Sequence, residues 1–395
     1  MIASKKNKIV ILPFDFSGNC IVRAILISEI LSKFCEIHII GLASSTDIWL
    51  PVEEKLKSFH YFCLRSKFRN ATLSLIKSMK NLLAKVDSVM PDIIYAFKPL
   101  PTSYGLGLLY KLKRSGTPLM LDIDDWELGF ALDAGWKSPI SLFITSFMEN
   151  LTRFSDAITV SSYFLKYRFG GYYLPHVVDT DCYDPSRYDR EGIRQQLGIH
   201  DETVISFIGT PRKHKGVDVI ILALNRLLRT SPRLKRFKFL FTGDPQDNYV
   251  SFLINLSMRL LGKERTLFLG MTPKAHEPLL LAASDIVCIP QKMSYASIGQ
   301  VPAKVFTAMS MAKPVIASAV SDLPIILKDC GVIVPPGDIN ALAEQLTYLI
   351  ENPQTAKMLG QRARVKCIKK YSYVIGMKIL KNILSEIFFP KGKKS

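Results

Sequence analysis

Leu121-Asp122-Ile123-Asp124-Asp125-Trp126-Glu127 places four carboxylates within six positions at the end of an apolar run, with no basic residue among them. Like charges this close repel unless they are solvated, hydrogen-bonded or used, so at least one is expected to hold its proton more tightly than usual and to serve a function. An acidic surface loop, or a helix cap formed by Asp124 or Asp125, fits the same residues. A second stretch carries the opposite charge: Gly209-Thr210-Pro211-Arg212-Lys213-His214-Lys215-Gly216 lies between a β-branched run and a helical one. Glycines admit close backbone approach, and three cations within four residues ahead of a helix start suit a phosphate. A basic surface turn is the plainer reading.

A third stretch runs Ser297-Ile298-Gly299-Gln300-Val301-Pro302-Ala303-Lys304 into Val305-Phe306-Thr307. Pro302 suits a first helical turn, where the N–H groups of Val301 and Ala303 could face an anion beside Lys304. In isolation Lys304 reads as a solvated helix lysine. Lys98, which opens Lys98-Pro99-Leu100-Pro101-Thr102-Ser103-Tyr104-Gly105, is a candidate contact for an acceptor phosphate. Gly18, in Pro13-Phe14-Asp15-Phe16-Ser17-Gly18-Asn19, marks at least a turn.

These stretches need elements to hold them. Strands are predicted at Lys8–Leu12, Glu36–Ile40, Asp92–Phe97, Leu119–Ile123 and Ala157–Val160, then at Val204–Ile208, Phe237–Phe241, Thr266–Leu269, Ile286–Ile289, Val315–Ala317 and Val332–Val334. Nearly all are continuous apolar runs, as in parallel sheets covered on both faces, and helical periods separate them. The chain therefore reads as α/β, with two βαβ domains at 1–183 and 184–372 and a C-terminal helix and basic tail at 373–395. The boundary is placed in Asp179–Ser186, where hydrophobic period is lost. Each chemical stretch follows a strand, where open parallel sheets bind ligands.

At 395 residues, 48% hydrophobic and 22% charged, the chain is too apolar for disorder and long enough for two cores. Its 52 Lys and Arg against 34 Asp and Glu give +18, unevenly spread: residues 1–185 hold 21 basic and 18 acidic side chains, whereas 352–395 hold 11 basic and one acid, Glu386. Such a field attracts phosphate on nucleotides, nucleic acid or anionic lipid. Without a helix-turn-helix, an RNP-like aromatic pattern or a zinc finger, nucleic acid ranks last. Seven scattered cysteines without metal-ligand spacing suggest reduced thiols in an intracellular protein. The first apolar run is short for a secretory signal, and no stretch has 18 uninterrupted apolar residues to span a bilayer.

Taken together, Phe207-Ile208-Gly209 through Lys215-Gly216, Phe241-Thr242-Gly243, Phe268-Leu269-Gly270, Ala282-Ala283-Ser284-Asp285-Ile286-Val287, the run 302–318 and Gly331 to Asp338 resemble the nucleotide-sugar domain of the family 4, or group 1, retaining glycosyltransferases. In the first half, the stretches 157–162 and 174–180 are similar to that family's last strand and interdomain segment. The resemblance implies the GT-B fold, two Rossmann-like domains with parallel sheets facing a central cleft. It implies sugar transfer, with retention, from a nucleotide-diphosphate sugar to a glycan or lipid-linked acceptor in polysaccharide or glycoconjugate synthesis. The nucleotide sugar is the co-substrate, with neither metal nor other cofactor. On this resemblance Arg212 and Lys215 meet the donor diphosphate, and Gly18, Gly209, Gly299, Gln300, Val301, Lys304 and Thr307 fall at the donor. Asp124 stands where relatives often carry a histidine that touches the sugar, with Asp125 and Lys98 on the acceptor side.

The departures are specific. Gly299 and Thr307 occupy the places of two family glutamates, and Thr210 that of the arginine after the glycine. A sugar-nucleotide epimerase and a non-catalytic partner subunit on the same fold are the alternatives. Peripheral contact with the inner face of the cell membrane is also expected of this cytoplasmic reading. Residues 55–86 hold eight basic residues and no acid, with Leu75, Ile76, Met79, Leu82, Leu83 and Val86 on one stripe, a pattern that suits anionic lipid and equally a helix packed on a sheet; Phe388-Phe389-Pro390 and Lys391, Lys393 and Lys394 are the better lipid candidates.

Overall fold

In a computed structural model, residues 6–45, 47–65, 71–134, 139–230 and 236–388 are described, with backbone only for 71–74. The chain divides into two compact units, Met1–Pro175 with Val374–Ser395, and His176–Tyr373. The segment Asp179–Ser186 thus falls inside the second unit, where Tyr183 is a core residue.

The first unit has strands β1 (Lys8–Leu12), β2 (Glu36–Ala43), β3 (His60–Arg65), β4 (Ile93–Phe97), β5 (Leu119–Ile123), β6 (Ala157–Val160) and β7 (Tyr172–Tyr173). Its helices are α1 (Ile21–Leu31), α2 (Glu53–Leu56), α3 (Ala71–Val89), α4 (Leu106–Lys113), α5 (Glu127–Asp133), α6 (Pro139–Asn150) and α7 (Tyr163–Phe169). The second unit has β8 (Thr203–Phe207), β9 (Phe237–Phe241), β10 (Thr266–Phe268), β11 (Ile286–Ile289), β12 (Val315–Ser318) and β13 (Val332–Val334). Around them lie α8 (Arg190–Gln196), α9 (Val217–Thr230), α10 (Asn248–Leu261), α11 (Glu277–Ala283), α12 (Tyr295–Ile298), α13 (Lys304–Ser310), α14 (Leu323–Ile326), α15 (Ile339–Glu351) and α16 (Pro353–Tyr371). The last helix, α17 (Tyr373–Phe388), belongs from Val374 onward to the first unit.

Both sheets are wholly parallel, in the orders β3-β2-β1-β4-β5-β6-β7 and β10-β9-β8-β11-β12-β13. The second sheet shows why its strands are unbroken apolar runs. Val204, Leu240, Val287 and Ala317 face one core cluster, while their neighbours Ile205, Phe239, Ile286 and Ile316 face another. A pleated strand covered on both faces leaves few positions for a polar side chain. Crossover helices supply the covers: in α9, Val217, Ile220, Ile221, Leu224 and Leu227 repeat at helical spacing and are all buried. Each such side chain contributes roughly 1.5–3 kcal/mol on burial.

The order reverses between β1 and β4 in one sheet and between β8 and β11 in the other. At such switch points the loops beyond the strand ends diverge and leave a crevice. The acidic and basic stretches both lie next to one.

The α3 stripe has a structural partner. Leu82 and Val86 belong to the sheet core, and Leu75, Met79 and Leu83 pack against it, so of the two uses open to that stripe the structure has sheet packing; Ile76 alone of the six is exposed. Residues 389–395, with the expected basic tail, lie outside the described residues. Among the described residues no helix is long and apolar enough to cross a membrane, and all seven cysteines are free.

Candidate active site

In the first unit the site begins at β4. Register pairing sets Phe97 beside Asp122, so Lys98 emerges next to the acidic end of β5 and donates its backbone N–H to the Asp122 carbonyl at 2.8 Å. Lys98 takes a left-handed backbone (φ 72°), and Ser103 Oγ donates to its carbonyl at 2.9 Å. Its ammonium reaches Asp124 at 3.2 Å, Asp125 at 2.6 Å and Glu127 at 2.5 Å. Burial pulls the Lys98 pKa down, but the three carboxylates outweigh it and hold the amine well above its ordinary value. One ammonium cannot neutralise three anions. The imbalance falls on two of them: burial pushes the Asp124 carboxyl up, Lys98 opposes, Asp125 and Asp122 add, and it stands at about 7, while burial also raises Glu127 against the pull of Lys98.

Two expectations change here. Lys98 is committed to its three carboxylates and 5% exposed, so a phosphate would have to enter an acidic cluster to reach it; Lys98 is a counter-ion, not a phosphate contact. The capping alternative also fails, since Trp126 precedes α5 and no side chain caps it. The fourth carboxylate, Asp122, is fully buried. Arg23 on α1 grips it bidentately at 2.6 and 2.9 Å, and Thr159 Oγ1 donates at 2.6 Å, locking α1 to the sheet. Gly18 lies in the turn before α1, where its carbonyl accepts from the Ile21 N–H at 3.3 Å. Among the described residues no group of three or more His, Cys, Asp or Glu side chains is arranged to hold a metal.

In the second unit the loop after β8 is pressed tightly into place. Gly216 has φ 69°, and a Cβ there would sit 1.9 Å from the Pro290 carbonyl oxygen, so no side chain is possible. Gly209, at φ 116°, donates its N–H to Thr242 Oγ1 at 2.8 Å; a Cβ there would meet Lys304 Nζ at 3.2 Å. Lys304 therefore folds back from α13 over the loop. Its Nζ lies 3.3 Å from the centre of the Phe207 ring, is shut off from solvent, and has no hydrogen-bond partner. Burial first, then repulsion by Lys215, drives its pKa well below the ordinary lysine value, with Glu277 opposing and Lys274 adding to the fall. A desolvated amine without a carboxylate costs several kcal/mol if charged. It is a place made for an anion.

Lys215 stands beside it and donates to the Thr210 carbonyl at 3.0 Å. Arg212 is turned elsewhere: half-exposed, it pairs with Asp247 at 2.8 Å, and Asp247 caps α10. Gly299 ends α12 with an ordinary φ of −86°, Gln300 follows, and the Val301 side chain is buried in the core. Thr307 donates at 2.7 Å to Glu277, a residue that sequence reasoning did not single out. Glu277 also accepts from Tyr183 and Lys274; burial raises its carboxyl, and these partners outweigh burial and keep it low. A buried carboxylate thus stands against the threonine that replaces the second family glutamate. The contact joins residues thirty positions apart, and no local pattern signals it.

Two wholly parallel α/β sheets, each with a polar site at its switch point, give the GT-B fold. Residues 189–366, which lie within the second unit, match the family model for group 1 glycosyl transferases. The chain is 32% identical over 215 residues to a D-inositol 3-phosphate glycosyltransferase of Corynebacterium aurimucosum, covering 53% of this chain and 49% of that protein. It is 25% identical over 201 residues to an alpha-D-kanosaminyltransferase of Streptomyces kanamyceticus, covering 50% and 49%. The chain thus spans about half the length of these curated relatives. In fold it is similar to a sucrose-phosphate synthase from Thermosynechococcus elongatus, with a TM-score of 0.77 at 16% identity over 97% of this chain and 99% of that one. It is likewise similar to Anabaena HepE in complex with UDP-glucose, with a TM-score of 0.73 at 21% identity over 96% and 99%.

Proposed function

We propose that this protein is a retaining, metal-independent hexosyltransferase that moves a sugar from a nucleotide-diphosphate donor to a glycan or lipid-linked acceptor. The observation that carries the reading is Lys304: a desolvated amine over the Phe207 ring, with no hydrogen-bond partner among the described residues, beside Lys215 and within the stretch that matches the group 1 glycosyl transferase model. In this role Lys304 and Lys215 stabilise the departing diphosphate, the largest electrostatic contribution to such a transfer. Gly209 lets the diphosphate approach the backbone, and Arg212 joins when it leaves Asp247. Thr307, held by Glu277, serves the nucleotide ribose. Asp124, poised near neutrality, serves the transferred sugar or the acceptor hydroxyl. UDP is the first nucleotide to try, because Anabaena HepE is described in complex with UDP and with UDP-glucose.

The test is product analysis by mass spectrometry after incubating the protein and membranes with a panel of nucleotide sugars. A sugar joined to an acceptor, with the anomeric configuration of the donor, is expected. Unchanged turnover in a variant carrying both Arg212→Ala and Lys215→Ala would refute the donor assignment.

A further inference from the structure

Helix α6 is amphipathic in the wrong sense for a soluble surface. Its sequestered side carries Thr145, Met148 and Glu149, and Glu149 is held there by Arg168 at 2.9 Å and by the Leu128 N–H at 3.1 Å. The side facing solvent carries Ile140 (73% exposed), Phe143 (72%), Ile144 and Phe147, with the two phenylalanine rings stacked 6.4 Å apart. The spacing continues through Leu151 to Phe154, so one apolar stripe runs the length of the helix and its following turn. There it meets a groove of about 750 Å³ whose walls include Met79, Leu108, Leu112, Met148, Leu151 and Phe154. Leu112 at the rim is 83% exposed. Exposed apolar surface this continuous marks a docking face.

The charge around the stripe says what it docks on. Lys111 lines the groove and Arg153 stands against Phe154, while Lys77 and Lys80 on α3 and Lys113 and Arg114 at the end of α4 add four more cations; Lys111 pairs with Asp156, and Lys113 and Arg114 share Asp87, so these six cations meet two carboxylates. A second copy of this chain would bring the same cations against one another. An anionic bilayer would neutralise them while hydrocarbon covers the phenylalanines, the arrangement of an interfacial helix.

We propose that the α6 stripe and its groove seat the first unit on a membrane containing anionic lipid, with α6 lying in the interface and acyl chain entering the groove. This surface is distinct from the α3 stripe, which packs on the sheet, and it does not depend on the nucleotide-sugar reading.

Flotation of the full chain with phosphatidylcholine vesicles, with and without phosphatidylglycerol, tests it. The protein is expected to float with the anionic vesicles and to be released by salt. Phe143→Glu with Phe147→Glu should weaken that partition at least about tenfold, because two exposed aromatics no longer enter hydrocarbon. Both positions are solvent-facing, so the fold and UDP binding by calorimetry should be unchanged; failed UDP binding in both forms would count against the donor reading alone. Three results would overturn the membrane proposal: no flotation of the unaltered protein, equal flotation of the double variant, or a dimer that the same substitutions dissociate. So would loss of flotation on changing Lys391, Lys393 and Lys394 to Gln while the phenylalanine variant still floats.

Discussion

Lys98 in the first unit and Lys304 in the second follow the same plan with opposite surroundings. Both lie at a switch point of a parallel sheet, and both ammonium groups are withdrawn from solvent. Three carboxylates surround Lys98, so its charge belongs to the folded protein itself. Among the described residues Lys304 has only the Phe207 ring against its Nζ and no hydrogen-bond acceptor, so its charge is stable only when an anion arrives. The first arrangement builds a fixed acidic site in which Asp124 holds its proton more tightly than an ordinary carboxyl; the second leaves an electrostatic vacancy. Burial alone distinguishes neither lysine, whereas partner count does.

The comparison predicts opposite responses to the same substitution. Lys98→Met leaves three buried carboxylates without a counter-ion, and stripping one partner from a buried charge cluster costs about 3–5 kcal/mol. Urea unfolding at pH 7 should show that loss, and part of it should return at pH 5 as the orphaned carboxylates take up protons. A loss below about 1 kcal/mol would mean that the cluster is effectively solvated. Lys304→Met removes an unpaired amine instead, so stability should hold or rise. UDP affinity, measured by calorimetry, should fall by about 10- to 100-fold, the value of one charge-assisted contact to phosphate. Equal affinity in the variant would show that the diphosphate does not meet this lysine.

How much of this was legible in the sequence depended on range. The eleven predicted strands were legible because sheets covered on both faces write themselves as unbroken apolar runs. Strand β3 was not: it is an edge strand, half-exposed, and reads His60-Tyr61-Phe62-Cys63-Leu64-Arg65 without a clean apolar run. Strand β7 has only two residues. The acidic stretch and the glycine-lysine loop were visible because their members are adjacent in the chain. Their partners were not, since Lys98 meets carboxylates 26 to 29 positions away and Glu277 meets Thr307 across thirty. Lys98 was accordingly misjudged as a phosphate contact. Lys304 was noticed, but nothing in the sequence shows that its amine turns inward and finds no partner.

The smallest predicted effect is the sharpest on the vacancy itself, because it reads the proton rather than the contact. Lys304 binds its proton less tightly in the folded protein than in the unfolded chain, so its contribution to stability improves as pH rises from its depressed value toward the ordinary lysine range. Lys98 does the reverse: its contribution is complete below the ordinary lysine value, falls as pH rises toward its raised one, and is gone above it. A bound diphosphate would lift the Lys304 pKa back up. Binding UDP above the depressed value should therefore take up as much as one proton, and affinity should decline with rising pH by at most about tenfold per unit. The diphosphate has its own ionisation near pH 6, which works in the other direction, since affinity gains as the dianion forms. Calorimetry in buffers of different ionisation enthalpy separates the two. Proton uptake on the alkaline side should be present in the unaltered protein and absent in Lys304→Met, and uptake that persists in the variant would transfer the proton to another group.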